Sequence, residues 1–127
     1  MKIPLLLSLL ATFGIFTLSA AEPTDVKIDK AAELLASGEK PTVLDVRTPG
    51  EYGDGHIKDA VNIGFNGGDF EARIAKLDPE KPYLVHCAAG GRSGKSMEIF
   101  KKLKFTKIYH LKDGYNGWAD AGKPVVK

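Results

Sequence analysis

The sequence is poor in sulfur and in charge of one sign. Its 127 residues include one cysteine, Cys87, and one tryptophan, Trp118. A lone cysteine excludes an internal disulfide framework. Eighteen Lys and Arg stand against 16 Asp and Glu, a net charge of +2. The lysines are spread along the chain with no long basic run, so nothing marks a nucleic-acid partner. Internal repeats and low-complexity stretches are absent too. What remains is an ordinary globular balance, 43% hydrophobic and 27% charged, in a length that suits one domain.

Long apolar runs are also scarce, and the one present is at the start. Lys2 is followed by an apolar stretch over residues 3–18, then Ser19, Ala20 and Ala21, then the polar Glu22-Pro23-Thr24-Asp25. That order predicts a signal peptide over residues 1–21, cut after Ala20 or Ala21. An uncleaved membrane anchor is the alternative, but the run falls short of the ~20 apolar residues of a span. The absence of cysteine at the cut excludes a lipoprotein. The expectation is a periplasmic or secreted domain, residues 22–127, with no stable membrane association after processing.

Along that domain, helical and strand-like patterns alternate. Residues 28–36 carry a helical apolar face, closed by Ser37-Gly38. Residues 42–46 are short, β-branched and apolar, as buried strands are, and residues 60–63, 83–86 and 107–111 read as further short strands. Residues 70–77 and 93–103 have helical spacing, the first closed by Asp78-Pro79. Residues 48–55, with Pro49, Gly50, Gly53 and Gly55, read as loop with at most one helical turn. The tail from Lys112 has no assigned element. Short apolar strands between helices predict an α/β fold, a parallel β-sheet with helices on both faces. Ligands of such sheets bind beyond the carboxyl ends of the strands. Cys87 stands there, just after one strand and before a helix.

The segment Cys87-Ala88-Ala89-Gly90-Gly91-Arg92-Ser93 is built of small residues. Such a backbone can curl tightly, turn successive N–H groups inward and hold an anion. A helix start near Ser93 adds a positive end. Both features lower a thiol pKa, and Arg92 adds a fixed charge that can grip an oxyanion. A plain turn over a buried cysteine is the bland alternative, but such a turn needs neither the run of small residues nor the arginine.

Three families share parts of this pattern. Residues 89–96 fit a loose phosphate-loop pattern ending Gly94-Lys95-Ser96. The small domain and the want of a later apolar strand ending in aspartate argue against an ATPase. Cysteine phosphatases and arsenate reductases place five residues between cysteine and arginine, whereas four lie here, which makes a smaller bowl. The third pattern, Cys-x-x-Gly-x-Arg-Ser after a strand, resembles the active-site loop of rhodanese domains. Leu44-Asp45-Val46-Arg47, Glu51-Tyr52, Gly55-His56-Ile57 and Ala60-Val61-Asn62-Ile63 are similar to the N-terminal signature of that family. Leu111, Gly114, Trp118, Gly122 and Pro124 resemble its C-terminal one.

The resemblance, nearest to single-domain exported rhodaneses of the phage-shock type, implies a rhodanese-like fold and a thiosulfate sulfurtransferase. In it Cys87 is the catalytic nucleophile and carries a persulfide. The N–H groups of Ala88, Ala89, Gly90, Gly91, Arg92 and Ser93 cradle the sulfur. Arg92 fixes the loop and attracts an anionic donor. No metal or organic cofactor is implied. The implied partners are a small sulfur donor and a thiophilic acceptor, cyanide or a thiol, with a protein acceptor as a further option. A non-enzymatic sulfur carrier or binding module is the rival reading. The chain departs from the pattern at Ala88, where many rhodaneses have a basic residue. Asp45, Arg47 and His56 are expected to be structural, His86 to point away from the cradle, and Trp118 to be core or pocket wall.

Overall fold

The computed structural model describes residues 22–127. The expected signal peptide and its cut lie outside the described residues. Ten elements follow in order: β1 Thr24–Val26, α1 Ile28–Leu35, β2 Thr42–Asp45, α2 Pro49–Asp54, β3 Val61–Asn62, α3 Phe70–Ile74, β4 Pro82–His86, α4 Gly91–Lys102, β5 Lys107–Leu111 and α5 Gly114–Asp120. The strands form one sheet of order β1-β5-β4-β2-β3, with every pairing parallel. Among the described residues no helix is long and apolar enough to cross a membrane.

Successive residues of a strand face opposite sides, and this divides the core in two. Leu44, Tyr83, Val85 and Ile108 face α3 and α4, packing against Phe70, Ile74 and Phe100. Val43, Leu84 and Leu111 face the other way, toward Ala31 of α1 and Trp118 of α5. On the first side Phe65, Phe70, Phe100, Phe105 and Tyr83 meet edge to face, centroids 5.2–6.4 Å apart. That geometry suits the ring quadrupole. Phe100 is wholly buried, a side chain of the kind whose burial stabilises by about 1.5–3 kcal/mol.

The structure corrects four expectations. Residues 48–55 hold a helix, α2, despite their glycines. Thr48 caps it, accepting from the Glu51 N–H while the Glu51 carboxylate accepts from the Thr48 N–H, and Pro49 fills the first turn. This reciprocal box and the proline offset the weak propensity of Gly50 and Gly53. The tail carries α5, which buries Trp118 and ties its indole N–H to the Pro124 carbonyl at 2.9 Å. The helix expected to end at Asp78-Pro79 ends at Ile74. Helix α4 begins at Gly91, not near Ser93. A short strand, β1, also precedes the first helix, held by its pairing with β5.

Candidate active site

Cys87 follows the central strand and shares the face of Tyr83 and Val85, with 1% of its surface exposed. Its Sγ accepts from the Gly90 N–H at 3.1 Å and from the Ser93 hydroxyl at 3.3 Å. Burial pushes the thiol pKa up. The Ser93 hydroxyl and the N–H groups of Ser93, Ala89 and Gly90 pull it down more strongly, so it lies below the ordinary thiol value. The donors favour the charged form directly.

The N–H groups face inward because the carbonyls are tied behind. Tyr115 N–H donates to Cys87 O at 2.8 Å and Asn116 N–H to Ala88 O at 3.0 Å, both from the start of α5. His86 Nδ1 bonds the same Cys87 carbonyl at 2.9 Å, behind the loop. Two glycines allow this. Gly90 has φ +96°, and a Cβ there would meet the Lys112 carbonyl; Gly114 has φ +69°, and a Cβ there would meet the Ala88 carbonyl. Any other residue would strain the backbone and force the loop and α5 apart.

Arg92 turns its fork to Glu51, Nη1 to Oε1 at 2.6 Å and Nη2 to Oε2 at 3.0 Å. The pair joins α4 to α2, and the Arg92 hydrogen bond leads in lowering the Glu51 pKa to about 2. The guanidinium expected to attract a donor anion is thus engaged by a carboxylate. Beside it lies a cavity of about 240 Å³, lined in part by Val46, Pro49, Phe65, Asn66 and Arg92. Ala88 is half-buried in the loop, Ala89 and Gly91 are exposed, and Lys95 points to solvent on α4.

Asp45 and Arg47 form a separate buried unit. Arg47 Nε and Nη2 donate to Asp45 Oδ1 and Oδ2 at 2.9 and 2.7 Å, and Nη2 also donates to Gly55 O at 2.7 Å. The guanidinium lies over the Tyr115 ring, 4.0 Å from its centroid. His86 Nε2 is 4.0 Å from Asp45 Oδ2 and has no hydrogen-bond partner among the described residues. Burial holds the His86 pKa down, so the ring is neutral. His56 stacks on Tyr52 at 3.8 Å and bonds its carbonyl through Nδ1. Among the described residues, no three His, Cys, Asp or Glu side chains come together as a metal site.

A five-stranded parallel sheet, a thiol at the end of its central strand and a loop of inward N–H groups are now in place. Residues 28–121 match the model of the rhodanese-like domain. The chain belongs to the rhodanese-like domain family. Thiosulfate sulfurtransferase 16, chloroplastic, of Arabidopsis thaliana is 32% identical over 81% of this chain and 92% of its own length. Thiosulfate sulfurtransferase GlpE of Actinobacillus pleuropneumoniae is 26% identical, covering 80% and 92%. Among solved structures, the rhodanese-related protein of Thermoplasma volcanium superposes with a TM-score of 0.71. It is 29% identical and covers 81% of this chain and 97% of that one. The rhodanese-like fold and a kinship with sulfurtransferases follow.

Within this rhodanese-like loop, the structure brings together Cys87, Ala89, Gly90 and Ser93 around the sulfur and turns Arg92 aside. Three residues in its surroundings were not assigned there from sequence. Glu51 holds Arg92 from 41 positions away. His110 Nε2 lies 2.8 Å from Ser93 Oγ, and His110 Nδ1 lies 3.1 Å from Asp25 Oδ1. One signal was available: His110 shares strand parity with Ile108, so it is an ionisable residue on an apolar face.

Proposed function

We propose that the protein is a thiosulfate sulfurtransferase working through a Cys87 persulfide. The thiolate attacks the outer sulfur of thiosulfate, the S–S bond breaks, and sulfite leaves with the bonding electrons. The enzyme then holds Cys87–S–S⁻. Cyanide or a thiol attacks the terminal sulfur, takes it as thiocyanate or a new persulfide, and returns the thiolate, a ping-pong pattern. The observation that carries this reading is the ring of N–H and hydroxyl donors closed around one sulfur atom. Such donors stabilise the thiolate and then the charged terminal sulfur. The names of the relatives support the donor class.

Arg92, filled by Glu51, is read as a clamp on the loop rather than a donor site. The four-residue spacing between Cys87 and Arg92 weighs against phosphate esters and arsenate. No second thiol in the chain can resolve the persulfide, so it persists until an external acceptor arrives, a small nucleophile or a protein thiol. Residues 3–18 support export, and with it work on periplasmic or secreted sulfur compounds.

Intact-mass measurement tests this. Thiosulfate adds about 32 Da, one persulfide sulfur, and cyanide removes it with release of thiocyanate. Cys87→Ser takes up none. Loading without transfer to any acceptor would make the protein a carrier. A folded, reduced protein that never loads would remove the sulfur chemistry altogether.

A further inference from the structure

Behind Cys87 and the Ser93 hydroxyl that meets its sulfur lie two polar side chains, His110 and Asp25, that sulfur transfer as described above does not use. Val85 of β4 stands opposite His110 of β5, and Asp25 of β1 stands opposite His110 on its other side. Opposed residues share a face of the sheet. Asp25, His110 and Val85 therefore project together toward α4, as does Cys87 two residues beyond Val85. Ser93, buried in the first turn of α4, fills the gap. The result is a continuous line: Cys87 Sγ to Ser93 Oγ 3.3 Å, Ser93 Oγ to His110 Nε2 2.8 Å, His110 Nδ1 to Asp25 Oδ1 3.1 Å. His110 is nearly buried, whereas the Asp25 side chain is 66% exposed.

The donor and acceptor inventory allows this line only two polarities. The Asp25 carboxylate only accepts, so Nδ1 carries a hydrogen in both. In the first, the thiol S–H donates to Ser93 Oγ and the Ser93 O–H donates to Nε2. In the second, Nε2–H donates to Ser93 Oγ and the Ser93 O–H donates to the thiolate. The two differ by one step of each proton. The S–H bond breaks as an O–H forms, and the other O–H breaks as an N–H forms. Nothing is oxidised or reduced, and the thiol proton ends on the imidazole.

We propose that Ser93, His110 and Asp25 are a proton relay that accepts the Cys87 proton on ionisation and stores it as an imidazolium beside the thiolate. Ser93 is the catalytic member, since it touches the reacting sulfur. His110 and Asp25 are positioning residues that act through it. The relay gives the thiolate a counter-charge within the fold, which Arg92, held by Glu51, supplies only partly. It rests on the thiolate chemistry proposed above, but its readout needs no sulfur transfer. The groups facing the imidazole are Asp25 from β1, Ser93 from α4 and the uncharged Val85 from β4. Those facing the sulfur are the loop N–H groups and, through space, Arg92.

The test is the rate of Cys87 alkylation by iodoacetamide against pH in the full chain. His110→Gln keeps a hydrogen-bonding side chain that cannot hold the proton. It raises the midpoint by about one pH unit, the tenfold effect of one charge-assisted hydrogen bond. The limiting rate at high pH stays unchanged. Asp25→Ala, at an exposed position, raises the midpoint in the same direction by less. Ser93→Ala combined with His110→Gln shifts it no further than Ser93→Ala alone, because the line is already cut. An unmoved midpoint in folded His110→Gln overturns the relay. Should that variant fail to fold, an unmoved midpoint in Asp25→Ala overturns it equally. If the shifts appear but thiosulfate loads no sulfur, the relay stands and the sulfurtransferase reading falls.

Discussion

The two faces of the sheet both carry buried polar residues at the carboxyl end, but they are wired differently. On the α4 face, Cys87, Ser93, His110 and Asp25 form an open line from a reactive sulfur to a solvent-exposed carboxylate. On the α5 face, Asp45 and Arg47 close on each other and on the Gly55 carbonyl, with His86 beside them. The open line has two proton arrangements of similar bonding. The closed unit has one, because every strong acceptor already faces a permanent cation. Two histidines on neighbouring strands thus differ in kind. His110 is linked to a group that ionises, and His86 is kept neutral with one nitrogen unpaired among the described residues. Both rings are buried, but only His110 is connected to the sulfur.

The comparison breaks first at Arg47. Arg47→Ala leaves the Asp45 carboxylate buried without its cation, and removing one partner of such a pair costs about 3–5 kcal/mol. Denaturant melts should show that loss. In whatever fraction stays folded at low denaturant, the Cys87 alkylation midpoint should not move. A midpoint that rises with the loss of Arg47 would join the two faces into one network.

His86 sharpens the contrast through pH. Its folded pKa lies below the ordinary 6.5, so the unfolded chain binds the proton first. Stability from this group is complete above about pH 6.5 and falls as pH drops below it, by at most about 1.4 kcal/mol per pH unit. His86→Leu removes an unpaired nitrogen as well as one hydrogen bond. It should flatten that slope. Urea midpoints between pH 7 and 5 measure it, and an unchanged slope would mean that His86 is not the group responsible.

The smallest effect belongs to the rim. The Glu51 pKa is lowered from 4.5 to about 2, so its contribution is present above about pH 4.5 and is lost as pH falls toward 2. The pair is partly solvent-exposed, and screening limits it to about 1 kcal/mol or less. Glu51→Gln should lose that increment at neutral pH and show a flatter acid limb below pH 4.5. It should also slow sulfur loading modestly, since Arg92 then holds the loop less firmly. Faster loading in this variant would restore the donor-attracting role to Arg92.

Much of this was legible in the sequence. The buried strands β2, β4 and β5 carry short apolar runs, α1 and α4 carry helical faces, and the Cys87 segment shows its chemistry in its composition. What was hidden depends on distant partners. Helix α2 reads as loop because four of residues 49–55 are Gly or Pro, and only the Thr48–Glu51 box forms the helix. Helix α5 contains Gly114 and Gly117 and is held by its docking on the loop carbonyls and by burial of Trp118. Strand β1 is three residues long and exists through pairing with β5. Arg92 found Glu51, and His110 found Asp25 across 85 positions. No local pattern encodes such a meeting.

The bonds from Tyr115 and Asn116 to the carbonyls of Cys87 and Ala88 also set a timetable. The groups that turn the loop inside out come from a helix 28 residues downstream of the carbonyls they hold, made after the loop itself. A ribosome-bound chain that stops at Leu111 has the cysteine, the glycines and the arginine but no backing for them. Its thiol is an ordinary one, slow toward sulfane sulfur and oxidants alike. Reactivity therefore arrives only once α5 has docked behind the loop.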